Sequence, residues 1–244
     1  MSIIFDNQTV IYEEPVQERI RKLLKVETLF NRIKLLKDSE SYHENFSAVI
    51  ALTELYEIFI RSDIKAELIR ELETQNLFFK KIKKLPNTNT SKLQSILERQ
   101  EILLKQIYAI EAKYLDYLSN DELFKTIIKY TKSQNDSSPL LFWLSRDSYF
   151  RTNQVKLWLE PLNFIHKSVD FLLKVIRQSG EPKGQVAEKG FYLSKLNLNR
   201  NFFLIRVTLT LDHYYFPTIS VGKQRLTIRF MTKDDKNKFI PYKE

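Results

Sequence analysis

Three of the chain's four glycines fall in one stretch, S-G-E-P-K-G-Q-V-A-E-K-G at residues 179–190, and that stretch separates two hydrophobic periods. Upstream, apolar residues recur every three or four positions, as on an amphipathic helix; downstream they alternate, as on a strand with one buried face. A single bundle or a single sheet cannot satisfy both patterns. The chain is therefore expected to be an α+β protein, an all-helical domain plus a small antiparallel β-sheet domain. The expected boundaries are 14–178 for the helical domain and 1–13 with 179–244 for the β domain, so the helical part is inserted between the two pieces of the other.

Starts and stops can be read along the helical part. Val16, Ile20, Leu23, Leu24 and Phe30 follow Pro15 at helical spacing. Proline suits the first turn because an N–H there would have no intrahelical partner, and this helix should run to about Lys37. Glu27 falls near the stripe and is read as a boundary residue with a basic neighbour. Residues 42–61 give a second helix with a wide apolar face of Phe46, Val49, Ile50, Leu52, Leu55, Ile58 and Phe59. Residues 63–85 begin acidic and end K-K-I-K-K, the order the helix dipole favours. After the P-N-T-N-T loop a fourth helix is expected over 91–114. Shorter helices should follow near 121–130, 139–143, 153–159 and 162–177.

In the β part, G-F-Y-L-S-K-L, F-F-L-I-R-V-T-L-T-L-D and Q-R-L-T-I-R-F-M read as strands, the second with Phe203, Ile205, Val207, Leu209 and Leu211 alternating. Three strands make a thin sheet, so an N-terminal strand over 9–12 is expected to complete it. Alternation in the last run puts Leu226, Ile228 and Phe230 on one face and Lys223, Arg225, Thr227 and Arg229 on the other. Four residues of extended chain would hold the stems of Arg225 and Arg229 roughly 13 Å apart. A polar outer face is normal for a half-buried strand, and cations on edge strands discourage aggregation. Residues 189–244, however, carry eleven Lys and Arg against four acids, +7 of the formal +9. That excess points to a docking surface for an anionic partner.

Other functions are poorly provided for. The absence of cysteine removes disulfides, thiolate nucleophiles and zinc–thiolate sites. No glycine belongs to a phosphate-cradling loop, and His43, His166 and His213 are scattered outside any catalytic or metal-binding motif. No enzyme activity, cofactor or metal is expected. Without a long apolar run or a leader-like N-terminus, a soluble cytoplasmic protein with no membrane span is expected.

Four blocks carry a resemblance: Y-E-E-P-V-Q-E-R-I-R-K-L-L-K-V-E, L-Y-E-I-F-I-R-S-D-I-K-A-E-L-I-R-E-L-E, Q-V-K-L-W-L-E-P-L-N with V-I-R-Q-S-G, and F-P-T-I-S-V-G-K-Q-R-L-T-I-R-F-M. In this order and over nearly the full length, the chain resembles the ZapD family of FtsZ-associated division proteins. The resemblance implies a helical domain plus a β domain, a homodimer and no catalysis. It also implies binding of the short C-terminal segment of FtsZ and bundling of FtsZ filaments at the midcell division site. It assigns binding roles to Arg61, Arg225 and Arg229, to which the strand alternation adds Lys223. The pattern departs at Glu122 and Leu141, where some relatives carry basic or His side chains. Phe59 and Phe230 are candidates for apolar contacts beside the arginines. A dimer with two basic clefts would hold tails from two filaments. The alternative is a nucleic-acid-binding protein using the same basic surface, with the aromatics of D-H-Y-Y-F-P and F-F-L-I-R among bases.

Overall fold

The computed structural model describes residues 2–5, 8–83, 85–86, 90–133, 137–196, 202–222 and 224–242. Two compact units emerge, Met1–Leu24 with Lys174–Glu244, and Lys25–Leu173. The first pairs N-terminal with C-terminal chain, and the second is helical. The fold is α+β, as the change of period requires.

In chain order the elements are β1 (Ser2–Phe5), β2 (Thr9–Pro15), α1 (Glu18–Leu36), α2 (Tyr42–Arg61), α3 (Ile64–Ile82), α4 (Thr90–Tyr108), α5 (Asp116–Asn120), α6 (Glu122–Ser133), α7 (Ser138–Leu144), α8 (Ser148–Leu159), a short 3-10 turn (Glu160–Leu162) and α9 (Asn163–Gln178). They are followed by β3 (Phe191–Lys195), β4 (Leu204–Thr210), β5 (Phe216–Val221), β6 (Arg225–Lys233) and β7 (Phe239–Pro241). Helix α4 ends six residues before the expected 114, and α8 begins five before the expected 153. The α8 start follows from Asp147, whose side chain accepts from the Phe150 N–H at 2.8 Å and so satisfies one orphan donor of the first turn.

The core of the helical unit is apolar and aromatic. Val49, Leu52, Leu55 and Phe59 of α2 are buried, as are Leu68 and Leu72 of α3 and Leu103 and Ile107 of α4. Phe124 sits 5.3 Å from Trp158, which lies 6.4 Å from Trp143. Asp121 serves two elements at once. One carboxylate oxygen caps α6 at the Phe124 N–H (2.8 Å), and the other accepts from the Trp158 indole (3.0 Å). A buried polar hub lies at the start of α2. Asn45 donates to the carbonyls of Leu36, Lys37 and Ser39, and its own carbonyl accepts from Arg151 Nε at 2.7 Å. Removing either partner would leave buried polar groups unmet, so the hub fixes how α2 and α8 meet.

The strand unit departs from the expected single sheet. One sheet has the order β1-β2-β4, the other β3-β6-β5 with β7 also pairing β6, and these pairings are antiparallel. The N-terminal segment contributes a hairpin, and among the described residues β4 is the C-terminal strand that pairs with it. Glu13 of β2 is fully buried; Arg177 grips it with two nitrogens at 2.9 and 2.8 Å, and Arg206 Nε of β4 adds a third contact at 3.1 Å. In the second sheet Leu226 and Ile228 are buried, each worth about 1.5–3 kcal/mol of apolar burial. Gly190 opens β3 at φ 71°, and a Cβ there would meet the Tyr242 carbonyl oxygen at 2.0 Å. Only glycine fits this turn, because the left-handed backbone and the close approach both exclude a side chain.

Candidate functional site

Register in the β3-β6-β5 sheet decides which side chains share a face. Arg229 is opposite Phe191 on β3 and Thr218 on β5; Thr227 is opposite Leu193 and Ser220; Arg225 is opposite Lys195. One row further along, Met231 meets Phe216 and Pro241, and Lys233 meets Phe239. Side chains of directly paired residues lie on the same face. Lys195, Arg225, Arg229 and Lys233 therefore form a cationic outward face, all four exposed. The opposite face carries Leu226, Ile228 and Phe230, the first two buried and the third half-buried. The alternation read from Q-R-L-T-I-R-F-M thus places Arg225 and Arg229 together on the outside. Lys223 lies outside the described residues.

This face is more than a charged strand. Phe191 is 40% exposed, Leu193 54% and Phe239 60%. The Arg229 guanidinium stands 5.8 Å from the centre of the Phe191 ring, and Lys233 Nζ is 5.8 Å from that of Phe239. Phe239 packs edge-on against Phe216 at 5.1 Å. Among the described residues no carboxylate forms an ion pair with Arg225, Arg229, Lys195 or Lys233. Such cations, held on rigid strands beside exposed rings, can meet carboxylates and apolar groups together. Sequence reasoning missed Phe191, Leu193 and Phe239. Their signal was present in the G-F-Y-L-S-K-L alternation, but only the pairing register reveals that they share the face of the arginines.

The expected apolar flanks are corrected. Phe59 is 4% exposed, in the core of the helical unit 6.5 Å from Phe30, so it offers almost no surface to a ligand. Phe230 projects from the face opposite Arg225 and Arg229.

Arg61 belongs to the helical unit. It closes α2, its side chain is 74% exposed, and Nη2 pairs with Glu57 at 2.8 Å one turn back. The other Glu57 oxygen takes Lys132 at 3.4 Å. Beside Arg61 a groove of about 530 Å³ is lined by Phe59, Ser62, Asp63, Lys65, Ile69 and Tyr114, among others. Burial pushes the Tyr114 phenol up to about 12, with the Asp63 carboxylate adding to the effect, so this wall presents a neutral hydroxyl. Lys65 Nζ donates to the Ile110 carbonyl. Arg61 is thus an exposed cation on a groove rim, partly offset by Glu57. Among the described residues no group of three or more acids and histidines is placed to hold a metal ion, and no helix is long and apolar enough to cross a membrane.

Comparison with known proteins places these features in a family. Residues 24–229 match the family model ZapD, described as a cell division protein. Among curated relatives, the cell division protein ZapD of Azoarcus sp. (strain BH72) is 29% identical over 227 residues, covering 91% of this chain and 90% of the relative. The ZapD protein of Methylococcus capsulatus is 27% identical over 228 residues, 91% and 89% of the two chains. That of Coxiella burnetii (strain RSA 493) is 28% identical over 236 residues, 94% and 91%. A family match spanning most of the chain, with relatives aligned nearly end to end, carries one conclusion: this chain belongs to the ZapD family of cell division proteins.

Proposed function

We propose that this protein binds the C-terminal segment of FtsZ on the outward face of the β3-β6-β5 sheet and, as a homodimer, cross-links FtsZ filaments in the cytoplasm at the division site. The observation that carries this reading is the set of four exposed cations, Lys195, Arg225, Arg229 and Lys233, that lack ion-pair partners among the described residues and stand beside exposed Phe191, Leu193 and Phe239. Arg61 offers a second basic contact on the helical unit. Acidic residues of an extended tail would meet the arginines, and its apolar residues the rings. Exposed charges steer association more than they tighten it, and salt weakens them. Repeated tails along one polymer compensate, because each bound tail raises the effective concentration of the next. The role is one of binding, without catalysis or cofactor.

A second copy is needed to bridge two filaments. The apolar face of α2 does not supply the interface, since Val49, Leu52, Leu55 and Phe59 are buried inside the helical unit. The test is titration of a labelled FtsZ C-terminal peptide, with the mass measured by light scattering. Saturable binding by a particle of twice 29.2 kDa is expected; no binding at low salt, or a monomer at micromolar concentration, overturns the reading. Rings among cations also suit single-stranded nucleic acid, and an oligonucleotide that displaces the peptide at equal concentration would favour that alternative.

A further inference from the structure

The edges of the β3-β6-β5 sheet differ. In antiparallel pairs the ladder bonds fall on alternate residues, and the bonds at the strand ends set the phase. Phe230 donates to the Gly190 carbonyl at 2.8 Å and Leu196 to that of Gln224 at 2.9 Å, so Tyr192 and Ser194 face β6, whereas Phe191, Leu193 and Lys195 turn their backbone groups outward. The Phe191 N–H is taken by the Glu188 carbonyl at 3.0 Å. Glu188 forms an antiparallel bridge with Phe191 on this side, and among the described residues no strand pairs with the outward N–H and C=O of Leu193 or the outward N–H of Lys195. On the other side, Gly222 donates to the Arg225 carbonyl at 2.8 Å, which sets Pro217, Ile219 and Val221 to the outer edge of β5. Pro217 has no N–H to offer there, so β5 is blunted against further pairing and β3 is open.

The open edge lies beside the cationic face. Phe191, Leu193 and Lys195 send their side chains to that face while their backbone groups point along the edge. Arg229 leans the same way, since its guanidinium stands over the ring of Phe191 on β3. A strand added beside β3 would lie about 4.8 Å from it and about 9.6 Å from β6. Its outward side chains would then touch Phe191, Leu193 and Lys195 and come within reach of the long arginines.

We infer that the acidic tail docks by strand addition, pairing its backbone with Leu193 on the free edge of β3 while every second side chain meets the cationic face. The inference rests on the reading that this face binds the tail, and adds that the backbone is read as well as the charge. Two tail-length peptides, N-methylated on odd or on even residues, test it against the unmodified C-terminal FtsZ peptide. Loss of at least about tenfold in affinity is expected for one set, from the outward-pointing bonds it forfeits, and change within about threefold for the other. Leu193→Pro should lose affinity likewise and stay folded, since its N–H makes no ladder bond; if it unfolds, the peptide series alone decides. Retention of binding by both sets, or equal loss from both, overturns strand addition while leaving the face as the site. Failure of the unmodified peptide to bind overturns the reading beneath it as well. A Leu193→Pro protein that becomes monomeric yet binds the tail unchanged would mean that a second copy occupies the edge, and would also overturn the inference.

Discussion

Reversing both arginines of β6, Arg225→Glu with Arg229→Glu, separates a defined face from bulk charge. Both side chains are exposed and project away from Leu226 and Ile228, so the change opens no cavity and strands no buried group. The folded state loses the Arg229–Phe191 contact, worth about 0.5–1 kcal/mol at an exposed site. That lowers Tm by roughly 1–4 °C in a chain of this size. Tail binding should suffer more. An exposed charge pair contributes about 0.2–1 kcal/mol, and reversal replaces it with repulsion of similar size, so two positions cost about 1–4 kcal/mol. In Kd this is about fivefold to a thousandfold, shrinking as salt is added. Fluorescence anisotropy of the labelled FtsZ peptide measures it, with circular dichroism and a melting curve as the check on folding. The control is Lys236→Glu with Lys238→Glu, which changes net charge equally in the turn between β6 and β7. There the backbone N–H groups of both residues bond Asp234, at 2.9 and 2.8 Å, and the side chains are exposed. Equal loss of affinity in the two double variants would refute the defined face, and an unfolded arginine variant would refute the assignment of inner and outer sides.

Arg177→Met removes two of the contacts on the fully buried Glu13 carboxylate and should destabilise by about 3–5 kcal/mol in chemical denaturation, since a buried charge loses a partner; a change under about 1 kcal/mol would contradict the network. His166 is buried against Phe30, and burial holds its imidazole below the usual 6.5, with the nearby Asp170 carboxylate acting in the opposite sense. The folded state therefore resists protonation, so this group's contribution is present at neutral pH and is lost as pH falls below about 6.5. His166→Gln should flatten that part of the stability profile between about pH 7 and 5, and an unchanged slope would exclude His166 as its source.

What the sequence disclosed follows from what each signal encodes. Helical period located α2 and α3 closely, because a stripe needs only local spacing. Alternation assigned Arg225 and Arg229 to an outer face for the same reason. It could not name strand partners, and so the hairpin of β1 and β2, the pairing of β2 with β4, and the presence of two sheets were not legible. Strand β5 was hidden by Pro217, which argues against a strand until the register places its missing N–H on the free edge. Phe59 and Phe230 were near the arginines in sequence but are buried or turned away, whereas Phe191 reaches Arg229 only through a pairing across thirty-eight positions. Glu13 gave no hint of burial, since its two arginines lie far along the chain.

Sedimentation of FtsZ polymers measures tail-dependent cross-linking, with full-length FtsZ and FtsZ lacking its C-terminal segment compared at equal polymer mass. This protein should pellet with full-length polymers and gather them into low-speed bundles, and both effects should vanish when the segment is removed. Bundling of the truncated polymers to the same extent would contradict tail-dependent cross-linking.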